Sequence, residues 1–262
     1  MSGAVALATG RAVRQAARSG EFSGPTCGFA PGYLQANLVV LPQSLAFDFL
    51  LFCQRNPKPC PLLELTDPGN AEPRELAPGA DLRTDLPRYR VYQQGQLVEE
   101  PADIRRRWRD DLVAFLLGCS FSFEEAMQRA GLPVRHIDEG RNVPMYRTNI
   151  ATKPAGIFRG PTVVSMRPLT VAQSIRAVEI TSRYTKAHGA PLHVGDPAAI
   201  GIADISKPDF GDAVTIHPGE LPVFWACGVT PQAVLMEVKP DFAITHSPGC
   251  MFVSDVRADE RD

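Results

Sequence analysis

The chain has 262 residues, enough to bury a sizeable core in one large domain or two modest ones. Its 44% hydrophobic and 21% charged content are those of a globular protein, and no run reaches the roughly 20 apolar residues of a membrane span. A formal charge of -2 argues against nucleic acid as a partner, since phosphate binding needs a basic excess.

Six cysteines are scattered without a CxxC pair, which predicts reduced thiols in a cytoplasmic setting and gives no zinc ribbon. Met1–Gly20 is Ala-rich with arginines and no acid, a composition shared by transit peptides. Its apolar spacing at Ala12, Val13, Ala16 and Ala17 predicts an amphipathic helix instead, closed near Ser19-Gly20.

Ala36–Leu41 is an apolar segment, and Pro42 opens a helix through Gln54 with Leu45, Phe49 and Phe52 on one face. Leu62–Leu65 reads as a strand, Thr66–Asp85 as a loop, and Arg88–Tyr92 with Gln96–Glu99 as a hairpin about Gln94-Gly95. Asp103 is placed to cap a helix running to Leu117, with Trp108, Leu112, Phe115 and Leu116 as its buried stripe. A second helix starts at Ser122, because Ser122-Phe-Glu-Glu125 matches a capping box. That motif accounts for Glu125 and leaves Glu124 unexplained.

Beyond Val143, strands at Thr162–Ser165, Val214–Ile216 and Val223–Trp225 alternate with short helices, Val171–Tyr184 being the clearest. The alternation predicts an α/β fold with a mixed sheet, flanking helices and two intimately associated subdomains. The division expected is an N-terminal α+β region, 1–112, and a C-terminal α/β region, 113–262, carrying most of the site.

Reactive side chains concentrate between Ile180 and Asp255, many beside Gly or Pro, where turns at strand ends hold ligand contacts. Such turns also use Asp and Ser for local hydrogen bonding, so the set carries more weight than any member. In Trp225–Gln232 a strand ends at Gly228, and Thr230-Pro231 opens a helix whose backbone N–H groups, from Gly228 to Thr230, suit an anion or oxyanion. Cys227 at that mouth is a candidate nucleophile, weighed against the commoner reading of a small core residue. His193 with Asp196 suits a base with its orienting carboxylate or a metal pair, without the spacing of a preformed metal site. Arg183 and Arg167 are candidate carboxylate clamps.

Several strings together resemble one family along nearly the whole chain: Gly32–Leu38, Phe115–Glu124, Arg141–Tyr146, Gly160–Pro168, His188–Pro191, Gly195–Pro197, Pro208–Asp212, Phe224–Gln232 and His246–Asp255. This is the family of D-glutamate cyclase and the bacterial hydro-lyases. Cys250 departs from it, standing where many members carry His. The resemblance implies an α/β fold of two subdomains and loss of water from D-glutamate to give 5-oxo-D-proline. Chemistry then nominates His193, Asp196, His246 and Cys227 as catalytic, and Arg183, Arg167, Gly228, Thr230 and Asp212 as substrate-binding. No cofactor and no metal are expected, the chain lacking a GxGxxG or P-loop string. The expected partner is a small carboxylate substrate, with neither nucleic acid nor membrane, and a homo-oligomer is left open. The competing readings are a metal-assisted hydrolase or dehydratase using His193, Asp196 and His246, and a non-catalytic organic-acid-binding protein.

Overall fold

In a computed structural model, residues 7–259 are described, and they form two antiparallel sheets with helices packed on them. The N-terminal helix α1 (Gly10–Ser19) is capped by the Thr9 hydroxyl and closed by Gly20 in the left-handed region. Its Arg14 is buried, donating to the Val253 carbonyl and pairing with Asp255 at 2.7 Å, which seats the helix on the last strand. The first six residues of the Ala-rich segment lie outside the described ones.

Strand β1 (Tyr33–Pro42) is the centre of the first sheet. One edge pairs with β5 (Leu112–Gly118), which pairs on with β2 (Leu62–Leu65). The other edge is shared by β11 (Phe252–Arg257), opposite Tyr33–Ala36, and β10 (Ala243–His246), opposite Val39–Val40. The hairpin of β3 (Tyr89–Gln93) and β4 (Gln96–Glu99) extends the sheet beyond β10. Helix α2 (Gln43–Arg55) covers one face, Phe49 and Phe52 meeting Phe115 and Phe158 in a ring cluster.

The second sheet is β6 (Met145–Ala151), β7 (Pro161–Thr170), β9 (Glu220–Ala226) and β8 (His193–Val194), in that order. Its helices are α5 (Val171–Thr181), started by a capping box of Thr170 and Gln173, and α6 (Thr230–Val238). Helices α3 (Phe121–Arg129) and α4 (Arg135–Asp138) bridge from β5 to this sheet. The chain then returns through α6 to β10 and β11, so strands from either side of residue 112 share the first sheet.

The α/β class expected from the sequence holds, with one change: every ladder pairs antiparallel instead of mixed. No helix among the described residues is long and apolar enough to cross a membrane. Three local expectations fail. The predicted helix from Asp103 to Leu117 is a 3-10 turn at Arg105–Arg107 followed by β5. Leu112–Gly118 is apolar without a break and buried throughout, a run that a doubly covered strand satisfies as well as a helix stripe does. The Ser122 capping box does not form, because helix α3 begins one residue earlier and Ser122 Oγ accepts the Gln35 backbone N–H at 2.9 Å. Val214–Ile216 lies in an irregular segment, not a strand.

Gly118 ends β5 against the Lys186 carbonyl, where a Cβ would stand 1.6 Å from the oxygen. The obstacle is the Lys186 main chain, with the Pro61 ring 3.3 Å away, so nothing flexible can yield. Gly118→Ala is expected to cost about 1–3 kcal/mol or more of unfolding free energy by urea titration, where an open-space change such as Gly131→Asn is expected to cost far less.

Candidate active-site cleft

The residues nominated from the sequence do not gather around one cavity. His193 is half-buried on the edge strand β8, its Nε2 2.7 Å from the Asp196 carbonyl oxygen. The Asp196 carboxylate accepts the Ala198 N–H and caps a 3-10 turn, so it does not orient the imidazole. Arg183 stands exposed just past α5. His246 is fully buried in β10: Nδ1 lies against the Leu38 backbone, and Nε2 is 3.4 Å from the Gln232 amide. Burial pushes the His246 pKa down to about 4, so it is a neutral core imidazole.

The anion cradle after Trp225 is filled by the protein itself. Thr230 Oγ1 donates to the Cys227 carbonyl at 2.7 Å and accepts the Val163 N–H, leaving nothing to offer a ligand. A Cβ on Gly228 would stand 1.9 Å from the Asn37 amide nitrogen, so that side chain occupies the approach. Burial raises the Cys227 thiol to about 11 despite the Val229 N–H and Arg167, which removes the thiolate a nucleophile needs.

Arg167 is wholly buried on β7 and saturated. It holds Glu124 of α3, donates to Ser165 Oγ at 3.1 Å and Ser120 Oγ at 3.0 Å, and lies 5.3 Å from the rings of both Phe123 and Trp225. His136 Nε2 of α4 lies 3.1 Å from the same Glu124 oxygen, without hydrogen-bond alignment. Burial alone would raise the Glu124 carboxyl; His136 and Arg167 outweigh it and hold the pKa below the usual range. Glu124, which the capping-box reading left over, is therefore the counter-ion of the buried core. Glu124→Gln leaves Arg167 an uncompensated buried cation and is expected to cost about 3–5 kcal/mol in chemical denaturation.

Asp212 does reach a cavity. Between β10 and β11 the chain leaves the edge of β1 at residues 247–251, and this break, with the Gly211 and Gly249 turns, opens a cleft of about 630 Å³. Arg88, Arg90, Glu100, Asn142, Asp212 and Ser247 supply its polar wall. Gly249 takes φ +86, and a Cβ there would press within 2.9 Å of the Asn142 side chain. Gly211 takes φ +72, its Cβ direction closed by the Val143 carbonyl at 2.0 Å.

Charges in the cleft are unevenly satisfied. Arg90 pairs with Glu100 at 2.5 Å, and Ser247 Oγ reaches the same carboxylate at 3.4 Å. Asp212 accepts the Asn142 N–H at 2.9 Å, fixing the turn that carries it. Among the described residues, the exposed Arg88 guanidinium has neither an ion pair nor a hydrogen bond. The Asn142 side-chain oxygen is buried without a donor. Cys250 lines the cleft too, its thiol raised to about 11 by burial although Arg88 works the other way. The described residues contain no group of three His, Cys, Asp or Glu side chains placed to hold a metal.

Arg88, Arg90 and Glu100 escaped the sequence reading, because a hairpin with alternating charges looks like any solvated strand.

His188 supplies a pH probe of the region. It is buried at φ +78, donates from Nδ1 to the Lys58 carbonyl at 2.8 Å, and leaves Nε2 without a partner. Burial lowers its pKa to about 4. The unfolded imidazole, near 6.5, binds its proton first on acidification, so this contribution is full above about pH 6.5 and is lost as pH falls toward 4. His188→Asn keeps a donor and tolerates the left-handed backbone, so its melting temperature should fall less steeply across pH 6.5 to 4 than the parent's; a parallel curve would contradict this.

Comparison with known proteins bears on the whole chain. The D-glutamate cyclase family profile matches residues 113–255. A "Putative hydro-lyase" of Stutzerimonas stutzeri is 61% identical over 249 residues, covering 95% of this chain and 94% of the relative. Proteins of the same description from Bordetella pertussis and Geobacillus kaustophilus are each 64% identical over 247 residues, 94% of this chain, and 89% and 94% of their own lengths. A solved nitrogen repressor-like protein from Methanococcus jannaschii aligns over 93% of this chain and 97% of its own at 10% identity, with a TM-score of 0.37, too low to carry an argument. With cleft walls from Asn142, Asp212 and Ser247 inside the matched segment, the chain belongs to the D-glutamate cyclase family.

Proposed function

We propose that the protein is a hydro-lyase that closes D-glutamate, or a closely related amino acid with a side-chain carboxylate, into its lactam at the cleft between β10 and β11. The observation that carries this reading is the unpaired Arg88 guanidinium on the cleft wall, a cation with two-pronged geometry suited to a carboxylate. Asp212 and Asn142 on the opposite turn supply acceptors for an ammonium group, so the wall matches a zwitterion end to end.

In this scheme Arg88 holds the α-carboxylate, while Arg90 and Ser247 donate to the side-chain carboxylate as its carbon turns tetrahedral. Asp212 receives and passes on the amine proton. One C–N bond forms and one C–O bond breaks; the two protons shed by the ammonium leave with a carboxylate oxygen as water. Positioning is the larger part of the task, since amine and carboxyl already share one molecule and need only be held in the closing geometry.

The test is to incubate the protein with D-glutamate and follow ring closure by proton NMR. Product is expected with the parent chain, and Arg88→Ala should lower kcat/KM by about 10- to 100-fold, the loss of one charge-assisted contact. Arg183→Ala should leave the rate intact. Binding that raises the melting temperature with no product over hours would favour an organic-acid-binding protein, and parent-like turnover in Arg88→Ala would move the site elsewhere.

A further inference from the structure

A second cleft, sharing no residue with the first, lies where α3 and α5 pack together. It measures about 840 Å³, within the range of small-molecule sites. Its wall is cationic: Arg129 from the last turn of α3, Arg176 from α5, and Arg183 just past the end of α5. Glu179 is the only acidic side chain in the lining, in a chain whose overall formal charge is -2.

The three arginines are committed to different degrees. Arg176 pairs with Glu179 at 2.8 Å, and Arg129 pairs more loosely with Glu125 at 3.3 Å. Arg183 has no side-chain partner among the described residues. The carbonyl end of α5 also lies here; it favours gathering cations and offsets part of their charge, so anion binding rests on the guanidiniums themselves. Apart from Ser182, the remaining lining is apolar or aromatic: Ala126 of α3, Ala130 just past its end, Ile180, and the half-buried ring of Tyr184.

We infer that this α3–α5 cleft binds an organic phosphate, its phosphate held by Arg183 with Arg176 and Arg129, and its organic part laid over Ala126, Ala130 and Tyr184. A phosphate monoester carries about -1.5 to -2 charge and three acceptor oxygens, enough to engage several guanidiniums at once, where a carboxylate offers one charge and two. Planar guanidiniums match that oxygen geometry in pairs. The apolar floor distinguishes the site from a patch that merely gathers counter-ions, because inorganic phosphate gains nothing from it.

The probe is phenyl phosphate, titrated calorimetrically into the full chain at fixed ionic strength, beside inorganic phosphate. One saturable site is expected, tighter for phenyl phosphate than for inorganic phosphate. Arg183→Ala should weaken it about tenfold, and Arg88→Ala, in the other cleft, should leave it unchanged. Arg183 and Arg88 are both exposed, so neither change threatens folding. Non-saturating heats, or parent-like affinity in Arg183→Ala, would overturn the assignment. Loss in Arg88→Ala alone would overturn it equally, by placing the phosphate in the first cleft.

Discussion

The architecture turns on one ion pair that no water reaches. Glu124 and Arg167 come from different parts of the fold, α3 at the end of the first sheet and β7 in the middle of the second. Removing both charges from water costs several kcal/mol each, about what their mutual attraction can return, and only if the remaining donors are matched. That condition explains the company they keep: two serine hydroxyls on the guanidinium, His136 beside the carboxylate, and the adjacent rings of Phe123 and Trp225 against the cation. Such a cluster tolerates few other arrangements, so it fixes how the two sheets meet rather than merely adding adhesion.

The thiols packed near this cluster are governed mainly by burial. Cys27 lies within the influence of both Glu124 and Arg167 and also of Cys250, and burial carries its pKa to about 12. Cys119 and Cys227 are raised for the same reason, burial. Three sulfur atoms packed with Phe121, Val143 and Met145 thus behave as polarizable apolar filling, while the ionic chemistry is left to the arginines and carboxylates at the surface of the cleft.

Much of the fold was legible where local chemistry leaves one solution. The α1 helix, α2 after Pro42, the Gln94-Gly95 hairpin and α5 all carry their own caps or turns. Leu112–Gly118 was misread because an uninterrupted apolar run has no period, and only its neighbours β1 and β2 make it a strand. The site was less legible for a related reason. His246, Arg167 and Thr230 are reactive types, but each is engaged by a partner far along the chain, Leu38, Glu124 and Val163 respectively, while burial silences Cys227. Asp212, nominated to bind substrate, lines the cleft; Arg88 was missed because nothing near it in sequence marks a cation as unpaired.

The order in which the sheet is threaded has a consequence for biosynthesis. The central strand β1 is made before β2 through β9, yet the strands on one of its edges, β10 and β11, follow all of them. Until they arrive, one side of β1 offers open amide and carbonyl groups, the kind of edge on which nascent chains associate. The break between β10 and β11 that makes the cleft arrives only after the rest of that sheet. A chain that stops before residue 243 lacks β10 and β11 and the part of the cleft wall supplied by Ser247, Pro248 and Cys250.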